Sequence, residues 1–165
     1  MSLDRDIALL RSVALFNALT QDQLRLLAFG SVRRHFVTGT TLFEQGAAAA
    51  SGFVVATGAI RLAMSSEHKP RQSSVDICEP GMLIGELALF VETQRPATAT
   101  AERRSEVVEI TRTLMTRMLE EYPRLALHFR ARLASRLSAN VADMEKVRQA
   151  LLVDGPRQDA TPDDA

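Results

Sequence analysis

Gly81-Met82-Leu83-Ile84-Gly85-Glu86-Leu87-Ala88-Leu89 and, beyond residues 90–94, Arg95-Pro96-Ala97-Thr98-Ala99-Thr100-Ala101 are the two stretches on which the reading of this chain turns. Glu86 to Leu89 is a good helix former, and Gly85 removes a side chain just where that helix would begin. Backbone N–H groups at a helix start have no carbonyl behind them and attract anions. Glu86, in the first turn, can accept a hydrogen bond from a hydroxyl. Arg95 suits a phosphate, because its planar fork can bond two oxygens at once. Together they would fit a ligand with one phosphate and one ribose hydroxyl. The plainer alternative is a structural ion pair between Glu86 and Arg95.

Outward from this stretch the chain changes texture twice. From Ser31 to Arg112, short apolar and β-branched runs alternate with turn residues Gly39, Gly46, Gly58 and Gly81. Ser31–Val37, Thr40–Phe43, Phe53–Thr57, Ala59–Ser65, Val75–Cys78 and Thr98–Thr111 read as strands of an antiparallel sandwich or barrel. Residues 1–30 read as helical. Ile7, Leu10 and Val13 recur at helical spacing, and Thr20 with Gln23 forms a capping box that starts a helix with Gly30 as its stop. Residues 113–152 are helical again, first as a short helix carrying Leu114, Met118 and Leu119 and ending before Pro123. From Arg124 the seam Leu133, Leu137, Asn140, Met144, Val147, Leu151 has heptad spacing. A helix of roughly 28 residues there would be about 40 Å long, more than so small a core needs. Residues 153–165 are polar, acidic and proline-bearing, and are expected to be disordered.

The pattern Gly-Glu-x-Ala-Leu followed by Arg-x-Ala-Thr resembles the phosphate-binding cassette of the cyclic nucleotide-binding domain family. Gly85, Glu86, Ala88, Leu89, Arg95, Ala97 and Thr98 carry the match. Leu15-Phe16 with Leu19, Gly39 with Leu42-Phe43 and Gln45-Gly46, and Val54-Val55 with Gly58 look like further landmarks, so the resemblance runs roughly from Val13 to Leu137. It implies a mainly β fold: an antiparallel jelly-roll β-roll with the cassette at 81–101, flanked by N-terminal helices, a B-helix and a long C-terminal helix. It implies that Arg95 pairs with the cyclic phosphate and that Glu86 accepts the ribose 2′-hydroxyl. Gly85 and the N–H groups of Leu87 and Ala88 would lie against the phosphate and ribose, with the C-helix closing over the base. By the same resemblance, Asn140 stands where a C-helix residue contacts adenine. Its plainer reading is a buried Asn that fixes register in a two-helix coil. Pro96 departs from the pattern, because the residue after the arginine usually donates its N–H to the phosphate and proline has none. Members preferring cyclic GMP often carry Thr there, so Pro96 favours cyclic AMP, with cyclic GMP as the lesser candidate. The expected ligand residues are thus Gly85, Glu86, Leu87, Ala88, Arg95, Pro96, Ala97, Thr98 and Asn140.

Bulk composition narrows the function further. The 165 residues carry 20 Lys+Arg against 20 Asp+Glu, and zero net charge speaks against an electrostatic DNA binder or a polybasic membrane-surface protein. Cys78 is the single cysteine, so no internal disulfide, Cys-based zinc site or iron–sulfur cluster can form within one chain. His35, His68 and His128 lack ligand spacing, and no metal is expected. Arg33-Arg34-His35 and Arg103-Arg104 read as solvated strand faces. No nucleophile–base constellation appears, so the chain is not expected to be an enzyme. No apolar run approaches the ~18 residues of a membrane span, and the charged N-terminus is unlike a signal peptide. The expectation is a cytoplasmic sensor, dimerising through its C-terminal helix and signalling to an effector protein of unknown identity. It would be either a stand-alone regulator or a piece of a longer protein. The alternative is a dimerisation module whose inherited pocket binds nothing.

Overall fold

Thr20 begins the best-defined helix as its sequence predicts. Its hydroxyl accepts from Gln23 N at 3.3 Å while the Gln23 side chain accepts from Thr20 N at 2.9 Å, closing the capping box. The computed structural model describes residues 2–66 and 69–135, with 66 and 69–73 described by backbone alone. Helix α1 (Leu3–Ser12) buries Ile7 and Leu10, a 3₁₀ turn (Ala14–Phe16) buries Leu15 and Phe16, and α2 (Gln21–Gly30) buries Leu24, Leu27 and Ala28. Gly30 is the last residue of α2, without a left-handed backbone, and its missing side chain serves packing. A Cβ there would stand 2.5 Å from Leu114 Cδ1, so the glycine lets α3 (Arg112–Glu121) close against α2.

Among the described residues ten strands follow α2, all antiparallel to their neighbours. One sheet has the order β1 (Val32–Phe36), β10 (Ser105–Thr111), β4 (Ser51–Thr57), β7 (Leu83–Ile84). The other has the order β2 (Thr41–Phe43), β9 (Thr98–Ala101), β5 (Ile60–Ser66), β6 (Lys69–Cys78), and β3 (Ala48–Ala49) pairs with β8 (Thr93–Gln94). This is the expected antiparallel β-roll with helices before and after it. Phe53, Val55, Ile60, Ile84, Ala99, Ala101 and Val107 fill its interior together with Cys78, whose thiol pKa is pushed up by burial and by nearby Asp76.

Besides the two-residue strands β3, β7 and β8, absent from the strands read in the sequence, three details differ. Thr98–Thr111 is two strands, β9 and β10, because residues 102–104 turn without a glycine or proline to announce it. Strand β6 begins at Lys69, well before Val75, because a polar stretch gains ladder bonds by pairing with β5. Arg33 is no solvated charge: its side chain is 15% exposed and held between Asp6 of α1 and Glu106 across the ladder. Arg34 pairs with Glu109 at 3.2 Å on the same pair of strands.

The chain divides into two compact units, Met1–Ala126 and the residues from Leu127 on. In the first, α3 buries Met115 and Met118 after an N-cap in which the Thr111 hydroxyl accepts from Leu114 N at 3.1 Å. Residues 123–135 are helical. Leu137, Asn140, Met144, Val147 and Leu151 of the expected seam lie outside the described residues, as does the tail.

Candidate functional site

Gly85 sits at φ +75°, ψ +39°, a left-handed backbone that costs glycine little and other residues more. The chain leaves it directly into a 3₁₀ turn, Glu86–Leu89, in which Ala88 N–H closes on Gly85 O at 3.2 Å. Ala88 and Leu89 are buried by the turn, while Leu87 is 40% exposed. The C-terminal end of the turn is tied by Arg112, whose Nη1 donates to Ala49 O at 3.0 Å, Val91 O at 3.0 Å and Ala88 O at 3.4 Å. Three carbonyls from two segments converge on one guanidinium at the start of α3.

Arg95 is brought to Gly85 by the strands on either side of it. Its N–H donates to Ala47 O and its carbonyl accepts from Gly46 N, both at 2.8 Å. Its side chain is drawn inward, leaving the residue 5% exposed. The guanidinium carbon lies 4.2 Å from the centre of the Phe43 ring and 5.4 Å from that of Phe53, within cation–π range of both. Nη2 donates to Ser51 Oγ at 3.4 Å, and the Ser51 hydroxyl donates to Glu109 Oε1 at 2.9 Å. Nη1 is buried and has no hydrogen-bond partner. A Cβ on Gly85 would stand 2.6 Å from it. Burial lowers the guanidinium pKa, and the Glu109 carboxylate pushes it back up.

A buried guanidinium nitrogen with nothing to donate to is an expensive arrangement, since desolvating a charged donor costs several kcal/mol in effect. An anion placed on Nη1 would relieve it. Of the other expected ligand residues, Glu86, Leu87 and Ala88 follow Gly85 in the turn, while the rest are spread more widely. Pro96 is exposed and Ala97 buried. Thr98 lies on the face of β9 opposite Ala99 and Ala101, where its hydroxyl accepts from Gln45 N at 2.9 Å. Asn140 is outside the described residues.

The sequence profile of the cyclic nucleotide-binding domain matches residues 33–122, more than half the chain and all but the first residue of the β-roll just described. The chain belongs to the cyclic nucleotide-binding domain family. Among solved structures it is similar to a cyclic nucleotide-binding-like protein from Brucella abortus, with 36% identity, a TM-score of 0.61, and 70% of this chain and 97% of the other covered. It is also similar to the N-terminal domain of a transcriptional regulator from Streptomyces coelicolor A3(2), with 28% identity, a TM-score of 0.71, and 80% and 94% covered. In sequence it is 29% identical over 131 residues to the cyclic AMP receptor protein of Thermus thermophilus, covering 79% of this chain. The chain spans 59% of the length of that relative. Among the described residues no helix is long and apolar enough to cross a membrane.

Ser51, Glu109 and Arg112 were invisible as site residues in the sequence. Ser51 and Glu109 are ordinary strand residues whose meaning comes from the pairing of β4 with β10. Arg112 sits 17 positions beyond Arg95 and reaches the cassette only because α3 starts beside it. For Phe43 and Phe53 a signal existed in the aromatic residues of β2 and β4, but nothing in the spacing said that a cation would lie against them.

Proposed function

We propose that this chain is a ligand-responsive sensor that binds a cyclic nucleotide, cyclic AMP in preference to cyclic GMP, with the phosphate on Arg95. The observation that carries this reading is Arg95 Nη1, buried without a partner against the one glycine whose missing side chain leaves room for it. A phosphate oxygen there would receive a charge-assisted bond from a donor already positioned by two aromatic rings and a hydroxyl. Glu86 takes the ribose 2′-hydroxyl, and Leu87 N–H, at the start of the turn, adds a second donor for the ligand. Gly85, Ala88, Ala97 and Thr98 shape the cassette around these groups. Pro96 withholds a donor and leaves nothing to reach a guanine amino group, which favours adenine. The name of the Thermus relative, a cyclic AMP receptor, agrees with that choice.

In this reading residues 113–152 carry the output. Asn140 touches the base, the apolar seam pairs with its twin to make a homodimer, and the ligand alters how the two helices meet to address an effector protein in the cytoplasm. The missing Pro96 donor also favours a second reading, in which the domain has kept the cassette and lost its affinity. Equilibrium dialysis against cyclic AMP, cyclic GMP and linear 5′-AMP separates the two. Retention of cyclic AMP above the others supports the sensor. Retention of none of them leaves the dimerisation module.

A further inference from the structure

The environment of Arg95 contains more than a ligand site needs. Among the described residues its guanidinium has no ion pair with a carboxylate within salt-bridge distance. A single hydroxyl stands between it and one: Ser51 Oγ accepts from Nη2 at 3.4 Å and donates to Glu109 Oε1 at 2.9 Å. The geometry follows from the ladder. Ser51 is paired with Thr111 on the neighbouring strand, so Glu109 is its diagonal neighbour two residues back on the same face. Glu109 is largely covered, with 20% of its side chain exposed, and its other oxygen lies 3.2 Å from Arg34 Nη1 at the surface. A buried cation, a neutral hydroxyl, a half-buried anion and an exposed cation are therefore joined in one line from the segment after β8 across β4, β10 and β1. The burial that depresses the Arg95 pKa is opposed by this same carboxylate.

We infer that Glu109, acting through the Ser51 hydroxyl, is the resident counter-charge of Arg95 and sets how tightly the site holds an anion. With Nη1 empty, Glu109 supplies the negative charge that a buried guanidinium requires. When a phosphate arrives at Nη1 it shares the arginine with a carboxylate already present, and like charges at such range repel. Glu109 thus weakens ligand binding while stabilising the unliganded protein. Ser51 is a positioning residue with a separate part. By holding Nη2 it turns the free nitrogen, Nη1, towards Gly85. The inference rests on the sensor reading for its ligand half and on geometry alone for its counter-charge half.

The two halves are tested together by Glu109→Gln and Ser51→Ala. Gln keeps the acceptor for Ser51 and removes only the charge. Titration with cyclic AMP by calorimetry should show Glu109→Gln binding about three- to tenfold tighter than the parent. Ser51→Ala should bind about three- to tenfold more weakly, since Nη1 loses its aim. A merely structural role would weaken binding in both variants or leave it unchanged, and either result in Glu109→Gln overturns the inference. The counter-charge half is read without any ligand, from urea midpoints of the parent, Glu109→Gln, Arg95→Met and the double variant. Glu109→Gln should lower the midpoint when Arg95 is present and lower it less when Met stands there. The pairing with Arg34 is common to both backgrounds and cancels. Equal losses in the two backgrounds would show that Glu109 does not neutralise Arg95. If the parent binds no cyclic nucleotide, the sensor reading falls, while the four midpoints still decide the counter-charge.

Discussion

Gly85 and Arg95, ten residues apart, are fitted to one another: the space that a Cβ would take on Gly85 ends 2.6 Å from Nη1 of Arg95. The glycine matters twice over, because its φ of +75° would strain any side chain there and because the side chain would strike Nη1 of Arg95, the proposed phosphate donor. Gly85→Ala should therefore cost about 1–2 kcal/mol of stability and displace the guanidinium. Cyclic AMP affinity should fall by about tenfold or more. Urea unfolding and calorimetry on the same variant check the two effects. An alanine variant that binds as tightly as the parent would mean that Nη1 is not the phosphate donor.

Glu86 has a sharper test than its own removal. If its carboxylate receives the ribose hydroxyl, the parent should prefer cyclic AMP to its 2′-deoxy analogue by about 1.5–3 kcal/mol. Glu86→Gln should lose most of that preference. Competition binding with the two nucleotides gives the answer, and equal affinities in the parent would remove Glu86 from its role.

Arg112 ties the cassette to the start of α3 through the carbonyls of Ala49, Ala88 and Val91. Replacing it with Leu keeps the stem and strands three acceptors, an expected cost of about 1–3 kcal/mol. Hydrogen exchange should localise the loss, with amides from Ala88 to Val91 exchanging faster than those of β4. Uniform acceleration across the roll would mean that Arg112 supports the fold at large rather than the cassette.

The C-terminal seam carries the oligomeric claim. A stripe of Leu133, Leu137, Met144, Val147 and Leu151 left in water would be an interface-like patch. The protein should sediment as a dimer at micromolar concentration. Leu137→Glu with Met144→Glu should sediment as a monomer, because like charges would meet across the pair. A parent that runs as a monomer with and without nucleotide would leave the seam to cover its own pocket.

What the sequence disclosed here depended on how local the physics was. The Thr20–Gln23 box, the turn glycines and the cassette could be read because each is encoded within a few residues. The cassette glycine and arginine were found by pattern, and in this chain the glycine leaves the space that Arg95 Nη1 occupies. The turn at 102–104 was hidden because Glu102, Arg103 and Arg104 look like the exposed face of a strand. Gly30 was read as a cap when its work is to admit Leu114, which arrives 84 residues later. Ser51 and Glu109 became meaningful only through strand register, and a residue whose role is set by its diagonal neighbour leaves no local trace. Of the charge runs only Arg33 departed from a solvated face, and for the same reason: it is largely covered by Asp6, from a helix, and Glu106, from the neighbouring strand that lies 73 residues later in the chain.

The central claim is that Arg95 holds a cyclic phosphate, and calorimetric titration of the parent and Arg95→Ala with cyclic AMP tests it most directly. Losing a buried charge-assisted pair should cost about 2–5 kcal/mol, or roughly 30- to several-thousand-fold in affinity. Circular dichroism should find the β-roll intact in the variant, since Arg95 makes no ion pair among the described residues. The account predicts measurable binding by the parent and none by the variant at the same concentrations. Equal affinity of the two proteins for cyclic AMP would contradict it.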